Sequence, residues 1–213
     1  MTERPFGPYT LVRQIAVGGM AEIHLAKTRG LAGFEKFVAL KMIHPNFAQD
    51  EQFIEMLVDE AKIAVQLQHV NIAHTFDLGR VGETYYIVME FVDGSTVYDQ
   101  IVANRRYSES DALDIAIQIA EALQHAHEKG LIHRDVKPKN IMVTKSGVAK
   151  LADLGLARAI TDREAAEAEA GKAFGTPYYI SPEQVKGEVN IGPPADIYSL
   201  GATLYHMLTG SVP

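Results

Sequence analysis

Residues 133 to 140 read HRDVKPKN, and the interpretation of the whole chain starts from this stretch. It brings a carboxylate (Asp135), an ammonium group (Lys137) and an amide (Asn140) close together in the sequence. A predicted helix ends just before it, and a short apolar run typical of a strand follows it. By itself, such a stretch is also consistent with a charged turn between a helix and a strand. Whether the stretch is a catalytic site or a plain turn therefore depends on the surrounding sequence.

Two amphipathic helices are predicted in the second half of the chain. Ser108 followed by Asp111 is typical of a helix N-terminus, and Gly130 is typical of the end of that helix. Its predicted apolar face comprises Leu113, Ala116, Ile117, Ala120 and Leu123. Gly210 is predicted to end the second helix. The predicted buried residues of that helix are Ile197, Leu200, Gly201, Leu204 and Leu208.

The part of the chain before residue 92 is rich in strand-forming residues. Gly18-Gly19 separates two such runs and indicates a hairpin. One helix is predicted there from apolar residues at helical spacing: Phe53, Leu57, Ala61, Ala64 and Val65. The predicted strands are 10–17, 21–27, 37–43 and 85–91, with 141–143 and 148–151 later in the chain. A strand-rich part followed by a helix-rich part predicts an α+β protein with two lobes, joined near residues 90–94.

The composition excludes several classes of protein. The 213 residues are 47% hydrophobic and 22% charged, so the chain can bury a core and is not wholly disordered. A net charge of −7 without a basic run argues against nucleic-acid binding. The chain has no cysteine, which excludes disulfides and thiolate metal sites and fits a reducing cytoplasm. No apolar run approaches the ~18 residues of a transmembrane helix, so we expect no membrane contact within this span and a cytoplasmic location.

The stretch HRDVKPKN resembles the catalytic loop, HRDxKPxN, of Ser/Thr protein kinases. Downstream, Asp153-Leu154-Gly155 is similar to the DFG element, and residues 175–183, GTPYYISPE, resemble the segment that receives the substrate peptide. Upstream, residues 38–41, VALK, match the VAIK strand. The motifs occur in the family's order over essentially the whole chain. Phrases such as GGMAE and DIYSLGATLYHMLTG resemble bacterial kinases of the eukaryotic type.

The resemblance implies roles for the residues of these motifs. Asp135 would orient and deprotonate the acceptor hydroxyl, and Lys137 would contact the γ-phosphate of ATP. Asn140 and Asp153 would hold Mg²⁺. Lys41 would bind the α- and β-phosphates and pair with a glutamate on the first predicted helix. Glu60 is the best candidate for that glutamate, Glu55 is the runner-up, and Asp59 and Glu51 are expected to be solvated.

The phosphate-binding loop matches the family least well. Of the pattern GxGxxGxV only the middle glycine, Gly18, is retained, and Ala16 and Ala21 replace the outer two. Alanine in place of glycine costs about 1 kcal/mol wherever the backbone φ is positive. The residues implied to surround adenine are Ile15, Ile23, Ala39 and Met142 as apolar walls, Met89 as gatekeeper, and Glu90 and Val92 through backbone groups. The alternative for the loop is a plain hairpin turn. The alternative for the apolar residues is that they belong to the structural core.

Further residues have implied supporting roles. Thr176 would hydrogen-bond to Asp135 and Lys137, and Asp196 would brace the backbone of the catalytic loop. Leu154 would replace the Phe of DFG in an apolar spine. His133 is expected to be a spine residue rather than an acid or base.

The segment between Asp162 and Gly175 contains no Ser, Thr or Tyr, although kinases of this type are usually phosphorylated there. It contains Glu164, Glu167 and Glu169 instead. A solvated helix is the favoured interpretation. The alternative is that these carboxylates pair with Arg134 and replace the phosphate.

We therefore expect a protein kinase domain over residues 9–213, with an N-lobe at 9–91, a hinge at 92–94 and a C-lobe at 95–213. Because members of the family continue further, the C-lobe is expected to be incomplete at its C-terminus. The implied function is phosphorylation of Ser/Thr hydroxyls on protein substrates in signalling, with ATP and Mg²⁺. The alternatives are an ATP-binding pseudokinase or scaffold, an inactive fragment, and a small-molecule phosphotransferase. The intact Lys41, Asp135, Asn140 and Asp153 argue against the pseudokinase, and Lys137 with the 175–183 segment against the phosphotransferase.

Overall fold

A computed structural model describes residues 3–29, 34–153, 178–188 and 190–213. The chain divides into two compact units. Unit 1 consists of Met1–Gln66 and His74–Phe91, and unit 2 consists of Leu67–Ala73 and Val92–Pro213. The chain therefore enters unit 2 twice, first through the short segment Leu67–Ala73, which the sequence pattern did not reveal.

Unit 1 is built on an antiparallel sheet of six strands in the order β1-β2-β3-β4-β6-β5. The strands are β1 (Arg4–Phe6), β2 (Tyr9–Val17), β3 (Ala21–Arg29), β4 (Glu35–Ile43), β5 (Thr75–Val81) and β6 (Thr84–Glu90). Two helices, α1 (Pro45–Ala48) and α2 (Glu51–Ala64), follow β4. The predicted hairpin, the later strands and the predicted helix are confirmed. The edge strands β1 and β5 were missed, because an edge strand that is half exposed lacks a regular apolar alternation.

The register of this sheet separates two faces. Ile23 pairs with Lys41, Ala39 pairs with Met89, and Lys41 pairs with Ile87. Directly paired residues on antiparallel strands point to the same side, so these side chains share one face. The opposite face carries the hydrophobic core, formed by Leu11, Ala26, Val38, Leu40, Met42, Tyr86 and Val88. The side chain of Lys41 therefore lies on the face of the sheet opposite this core cluster.

Unit 2 is mainly helical and contains a small sheet in the order β7-β8-β9. Its strands are β7 (Gly94–Thr96), β8 (Ile141–Thr144) and β9 (Ala149–Leu151). Its helices are α3 (Val97–Asn104), α4 (Glu109–Glu128), α5 (Pro182–Val185) and α6 (Pro193–Thr209), with a 3₁₀ turn at Pro138–Asn140. Helix α4 packs against α6 and β9. Among the described residues, no helix has both the length and the apolar character needed to cross a bilayer.

The predicted helix ends are confirmed in unit 2. The Ser108 hydroxyl accepts a hydrogen bond from the backbone N–H of Asp111 at 3.1 Å and begins α4. Gly130 follows the C-cap residue Lys129 with a left-handed φ of 78°. Gly210 caps α6 with a φ of 72°.

The buried faces of α4 and α6 differ from the predicted ones. Leu113 and Ile117 are 43% and 57% exposed, and Ile197 is 54% exposed. Helix α4 buries Leu123 as predicted, together with Ala112, Ile115, Ile119, Ala122 and Ala126. On α6 the predicted Leu200 is buried. The buried side of α6 includes the polar residues Asp196, Ser199, Thr203 and His206. A count of large apolar residues misplaces a helix face when the buried residues are small, or are polar and hydrogen-bonded.

The segment Leu67–Ala73 lies beside β9 in unit 2. The backbone N–H of Ala73 donates to the carbonyl of Leu151 at 2.9 Å, and that of Leu151 donates to the carbonyl of Asn71 at 2.8 Å. The Asn71 side chain is buried and donates to the Ala149 carbonyl and to Gln118 Oε1, both at 2.8 Å. These bonds fasten β9, and with it the residues that follow β9, to α4.

Candidate active site

A buried carboxylate on α6 holds the stretch that begins at His133. Asp196 is 0% exposed. Its Oδ1 accepts from the backbone N–H of Arg134 at 2.7 Å, and its Oδ2 accepts from that of His133 at 2.9 Å. The ring Nε2 of His127 lies 2.8 Å from the same Oδ2 and donates to it, since a carboxylate can only accept. The expected bracing by Asp196 is confirmed, and His127 takes part in it.

His133 is fully buried, and its two ring nitrogens have opposite roles. The backbone N–H of Asp135 lies 3.2 Å from Nδ1 and donates to it, so Nδ1 carries no proton. Nε2 lies 3.0 Å from the carbonyl oxygen of Ala152 and donates to it. The ring is therefore neutral and both of its nitrogens are engaged. Both nitrogens thus serve to hold the surrounding backbone, and the expected place of His133 in an apolar spine stays a prediction.

Two nitrogen donors position the carboxylate of Asp135. Lys137 Nζ lies 2.7 Å from its Oδ2, and Asn140 Nδ2 donates to the same oxygen at 2.9 Å. Asn140 also donates to the backbone carbonyl of Asp135 at 2.8 Å, which closes the loop around these residues. The side chains of Asp135 and Lys137 are 32% and 34% exposed, so an external hydroxyl can reach them. The structure thus brings together three residues that the sequence singled out.

Asp153 follows β9, and the residue before it is fixed from two sides. The N–H of Ala152 donates to the carbonyl of Asn140 at 2.8 Å, and the carbonyl of Ala152 accepts from His133. Asp153 itself has a left-handed φ of 62°. In the described chain only three non-glycine residues have a positive φ, and Asp153 and Arg134 are two of them. Such conformations cost about 1–2 kcal/mol and concentrate where function requires them.

The oxygen atoms of Asn140 and Asp153 fit Mg²⁺ by ligand chemistry. Asn140 donates through Nδ2, which leaves its Oδ1 as an acceptor. Proteins hold Mg²⁺ through one or two carboxylates together with substrate phosphates and water, rather than in a closed protein cage. Within the described residues no group of three or more His, Cys, Asp or Glu side chains is placed to hold a metal ion.

In unit 1, predicted nucleotide-binding residues lie on the face of the sheet opposite the core. Lys41, 8% exposed, lies in the middle of the sheet between Ile23 and Ile87. Ala39 and Met89, both buried, continue the same face. Ile15, on β2, is 40% exposed. Their roles toward ATP stay predictions.

Gly18 begins the turn between β2 and β3. Its N–H donates to the carbonyl of Ala21 at 2.8 Å, and its own carbonyl lies 3.2 Å from His44 Nε2 and accepts from it. Neither Ala16 nor Ala21 has a positive φ. The replacement of the family's outer glycines therefore introduces no left-handed strain.

Glu60 is better placed than Glu55 for the predicted pair with Lys41. On α2, Glu60 is half-buried, whereas Glu55 is exposed. Asp59 is exposed and pairs with Lys62 at 2.8 Å, as expected for a solvated residue. The pair of Lys41 with Glu60 stays a prediction.

Three further residues were predicted to contact adenine. Glu90 ends β6, and its carboxylate accepts from the backbone N–H of His74 at 3.2 Å. Val92 is buried in unit 2, and Met142 is half-buried on β8, where it pairs with Thr96. Their roles toward adenine also stay predictions. The other predicted residues, Leu154, Thr176, Glu164, Glu167 and Glu169, lie outside the described residues.

Two residues missed by the sequence interpretation connect the 175–183 segment to the catalytic loop. Ser181 is buried and caps α5 through a capping box with Gln184. Gln184 Nε2 then donates to the backbone carbonyl of Arg134 at 2.8 Å. The signal was present, because Ser followed three residues later by Gln is a capping-box pattern.

A second missed pair is formed by Tyr179 and His206. The Tyr179 hydroxyl and His206 Nδ1 lie 2.6 Å apart, at hydrogen-bond distance, and the two rings stack. Burial raises the pKa of Tyr179 to about 12 and lowers the pKa of His206. Both shifts favour the neutral forms of the two side chains, which a hydrogen bond then joins. No local pattern predicts a contact between residues 27 positions apart.

A family model for the protein kinase domain matches residues 9–213. The chain belongs to the protein kinase family. The predicted kinase membership and the α+β fold with a β-rich N-terminal part and a helical C-terminal part are thereby confirmed.

Bacterial serine/threonine kinases are among the similar proteins. The chain is 38% identical over 211 residues to serine/threonine-protein kinase PrkC of Bacillus subtilis. The aligned region covers 99% of this chain and 32% of PrkC. It is 37% identical over 209 residues to serine/threonine-protein kinase PknB of Mycobacterium tuberculosis, covering 96% of this chain and 33% of PknB. The chain thus spans about a third of the length of these curated relatives.

A solved structure of the same fold is the kinase domain of PknI from Mycobacterium tuberculosis. It is 30% identical to this chain, with a TM-score of 0.79. The match covers 100% of this chain and 77% of that kinase domain.

Proposed function

We propose that this chain transfers the γ-phosphoryl group of ATP to Ser or Thr hydroxyls of protein substrates. The observation that carries the proposal is the Asp135 carboxylate, held by Lys137 and Asn140 on a loop that buried Asp196 fixes. Relatives named as serine/threonine kinases support the same acceptor. Phosphoryl transfer needs little covalent help from a protein, so positioning and charge stabilisation account for most of the catalysis.

Each residue of unit 2 has a distinct task in this proposal. Asp135 orients the acceptor hydroxyl and accepts its proton. Lys137, whose ammonium group lies 2.7 Å from that carboxylate, supplies positive charge where the transferred group becomes more negative. Asn140 and Asp153 would hold Mg²⁺, which when bound neutralises phosphate charge. The Asp196 carboxylate does not touch the reactants and acts by fixing the loop.

The pseudokinase alternative was motivated by the two alanines of the phosphate-binding loop. Ala16 and Ala21 both lie in strands with negative φ, so their presence does not distort the turn at Gly18. No observation in the described residues favours that alternative over phosphotransfer.

The proposal is tested by separating proton acceptance from metal binding. Asp135→Asn keeps the shape of the side chain but removes the base, so turnover should fall by about 10²–10⁴-fold while nucleotide binding is retained. Asp153→Ala should instead abolish the Mg²⁺-dependent part of nucleotide binding. Turnover is measured as phosphate transferred from labelled ATP to a Ser/Thr protein, and binding by fluorescence of a labelled nucleotide with and without Mg²⁺.

Asp114→Asn is the matched control, because Asp114 is an exposed residue of α4. It should behave like the unaltered chain in both measurements. Near-normal turnover of Asp135→Asn would show that the base has been assigned wrongly.

A further inference from the structure

His44 is a half-buried imidazole of unit 1 to which the phosphotransfer roles give no task. It follows β4 and is the N-cap residue of α1. Both of its backbone groups are hydrogen-bonded. The N–H donates to the carbonyl of Met20 at 2.9 Å, and the carbonyl accepts from the N–H of Phe47 at 3.0 Å. The backbone that carries this ring is therefore fixed on both sides.

The ring of His44 holds a carbonyl of the phosphate-binding loop. Its Nε2 lies 3.2 Å from the carbonyl oxygen of Gly18 and donates to it, since a carbonyl can only accept. Tight turns often close with a bond from the N–H of the fourth residue to the carbonyl of the first. Between Gly18 and Ala21, both within the described residues, the one backbone bond runs the other way, from the N–H of Gly18 to the carbonyl of Ala21 at 2.8 Å. The His44 ring thus takes the place of the turn's own donor.

The bond from His44 sets the direction of the peptide group between Gly18 and Gly19. In a trans peptide the carbonyl and the N–H that follows it point in opposite directions, so the N–H of Gly19 points away from His44. Among the described residues this N–H has no hydrogen-bond partner. A Cβ built on Gly19 would meet no atom within 4 Å. The space around Gly19 is therefore open, and an external acceptor can approach its N–H.

The N–H of Gly19 is directed toward the face of the sheet that carries Lys41. Side chains of an extended chain alternate between its two faces. Met42, one position after Lys41, belongs to the core cluster on the opposite face. His44 lies two positions further and is still extended, with a φ of −63° and a ψ of 143°, so its ring is on the side of Met42. Because His44 holds the Gly18 carbonyl from the core side, the N–H of Gly19 points to the Lys41 side.

We propose that His44 is a positioning residue for nucleotide binding. Its ring fixes the Gly18-Gly19 peptide so that the N–H of Gly19 can donate to a phosphate oxygen of ATP. The inference rests on the proposed function, because it needs the loop to cover the phosphates that Lys41 is predicted to bind. An N–H that is aligned before binding loses less conformational entropy when the phosphate arrives. The loop that matches the family least well is thereby held by a residue outside its motif.

The test separates binding of the phosphates from binding of the rest of the nucleotide. His44→Leu removes the N–H donor, whereas His44→Gln keeps a donor at a similar reach. The dissociation constants of ATP with Mg²⁺ and of adenosine are measured by NMR titration, which also detects weak binding. His44→Leu should weaken ATP binding about tenfold, the size expected of one lost contact to a charged group, and should leave adenosine binding unchanged. His44→Gln should restore most of the affinity for ATP.

Steady-state kinetics gives a second measurement. In His44→Leu the KM for ATP should rise about tenfold while kcat stays within about twofold, because the lost contact serves the ground state and the transition state alike. Asn46→Leu is the matched control. Asn46 is exposed, lies two positions after His44 in α1 and receives the same new side chain. Its substitution should leave KM, kcat and both dissociation constants unchanged.

The outcomes separate this inference from the proposed function. Weaker ATP binding in His44→Leu that His44→Gln restores, without phosphotransfer by any variant, would sustain the role of His44 and reject the kinase activity. Phosphotransfer with an unchanged KM for ATP in His44→Leu would sustain the activity and reject the role. An equal loss of ATP and adenosine affinity would mean that His44 only maintains the fold, and it would also overturn the inference. Absence of ATP binding by the unaltered chain would reject both proposals.

Discussion

Three carboxylates of unit 2 have different roles because different donors surround them. Asp196 is buried and receives three N–H donors, so its acceptor positions serve to hold the backbone. Asp135 is one-third exposed, and Lys137 and Asn140 both contact its Oδ2. Asp153 has a left-handed φ and follows Ala152, whose N–H and carbonyl are both hydrogen-bonded. Burial and hydrogen bonding, rather than residue type, separate the structural acid from the two that the proposal assigns to chemistry.

We predict that Asp196→Asn destabilises the chain far more than its small change in shape suggests. The amide group must replace one carboxylate oxygen, and at either position it would face a backbone N–H of His133 or Arg134. A buried donor that loses a charged acceptor costs about 2–4 kcal/mol in the free energy of unfolding. Urea unfolding measures this value, and turnover should fall as the loop loosens.

Ser199→Ala is the control for this substitution. Ser199 is also buried on α6, but its hydroxyl donates only to the Ala195 carbonyl of its own helix. Its loss should change the free energy of unfolding by no more than about 1 kcal/mol. Equal effects of the two substitutions would mean that Asp196 does not anchor the loop.

At the scale of secondary structure, α6 positions both the catalytic loop and Tyr179 of the 175–183 segment. Asp196, in its first turn, holds the catalytic loop, and His206, in its last turn, holds Tyr179. A straight helix rises about 1.5 Å per residue, so the two anchors lie about 15 Å apart along one rigid element. The buried polar residues Asp196, Ser199 and His206 of α6 are thus explained by the bonds they make. The buried Thr203 hydroxyl has no hydrogen-bond partner in the described residues.

The end of α6 gives a prediction about how closely it packs on α3. In Gly210→Ala the new Cβ meets a left-handed φ and the carbonyl oxygen of Arg105. We expect a loss of about 2–4 kcal/mol, because backbone must move in addition to the conformational cost. Gly130→Ala has a similar φ of 78° but no atom within 4 Å of the new Cβ, so it should cost only about 1 kcal/mol.

The difference between these two glycine variants isolates the contact between α3 and α6. Thermal unfolding of both variants under one condition measures it. Equal destabilisation would show that the conformational cost of Gly210→Ala dominates and that the close approach to Arg105 contributes nothing.

For the whole molecule, the motifs predicted the fold class and the residues of the catalytic loop because each is a short local pattern. The hairpin at Gly18-Gly19, the cap at Ser108 and the stop at Gly210 are also local, and all were predicted correctly. The buried faces of α4 and α6 were not predicted correctly. The sequence alone does not identify a small residue such as Ala112, or a charged one such as Asp196, as buried. The contacts of Tyr179 with His206 and of Lys139 with Tyr98 join distant positions, and a single sequence carries no signal for them.

The least predictable feature is that Leu67–Ala73 belongs to unit 2, although unit 1 continues on both sides of it in the sequence. Asn71 provides its side-chain attachment, with buried bonds to the Ala149 carbonyl and to Gln118. Asn71→Ala leaves that carbonyl unsatisfied and should cost about 2–3 kcal/mol. The loss should be local to unit 2 and should loosen the backbone bonds that join the segment to β9.

Hydrogen exchange tests this prediction residue by residue. In Asn71→Ala, the amide protons of Ala73 and Leu151 should exchange at least about tenfold faster. These amides donate to the carbonyls of Leu151 and Asn71, and the Asn71 side chain holds the two segments together. The amide of Leu40, in the centre of the unit 1 sheet, should keep its protection. Asn104→Ala, at an exposed site in unit 2, is the control and should leave all three amides unchanged. If Leu40 lost protection as strongly as Leu151, the segment would be stabilising the whole chain rather than β9 alone, and the local attachment argued from Asn71 would be wrong.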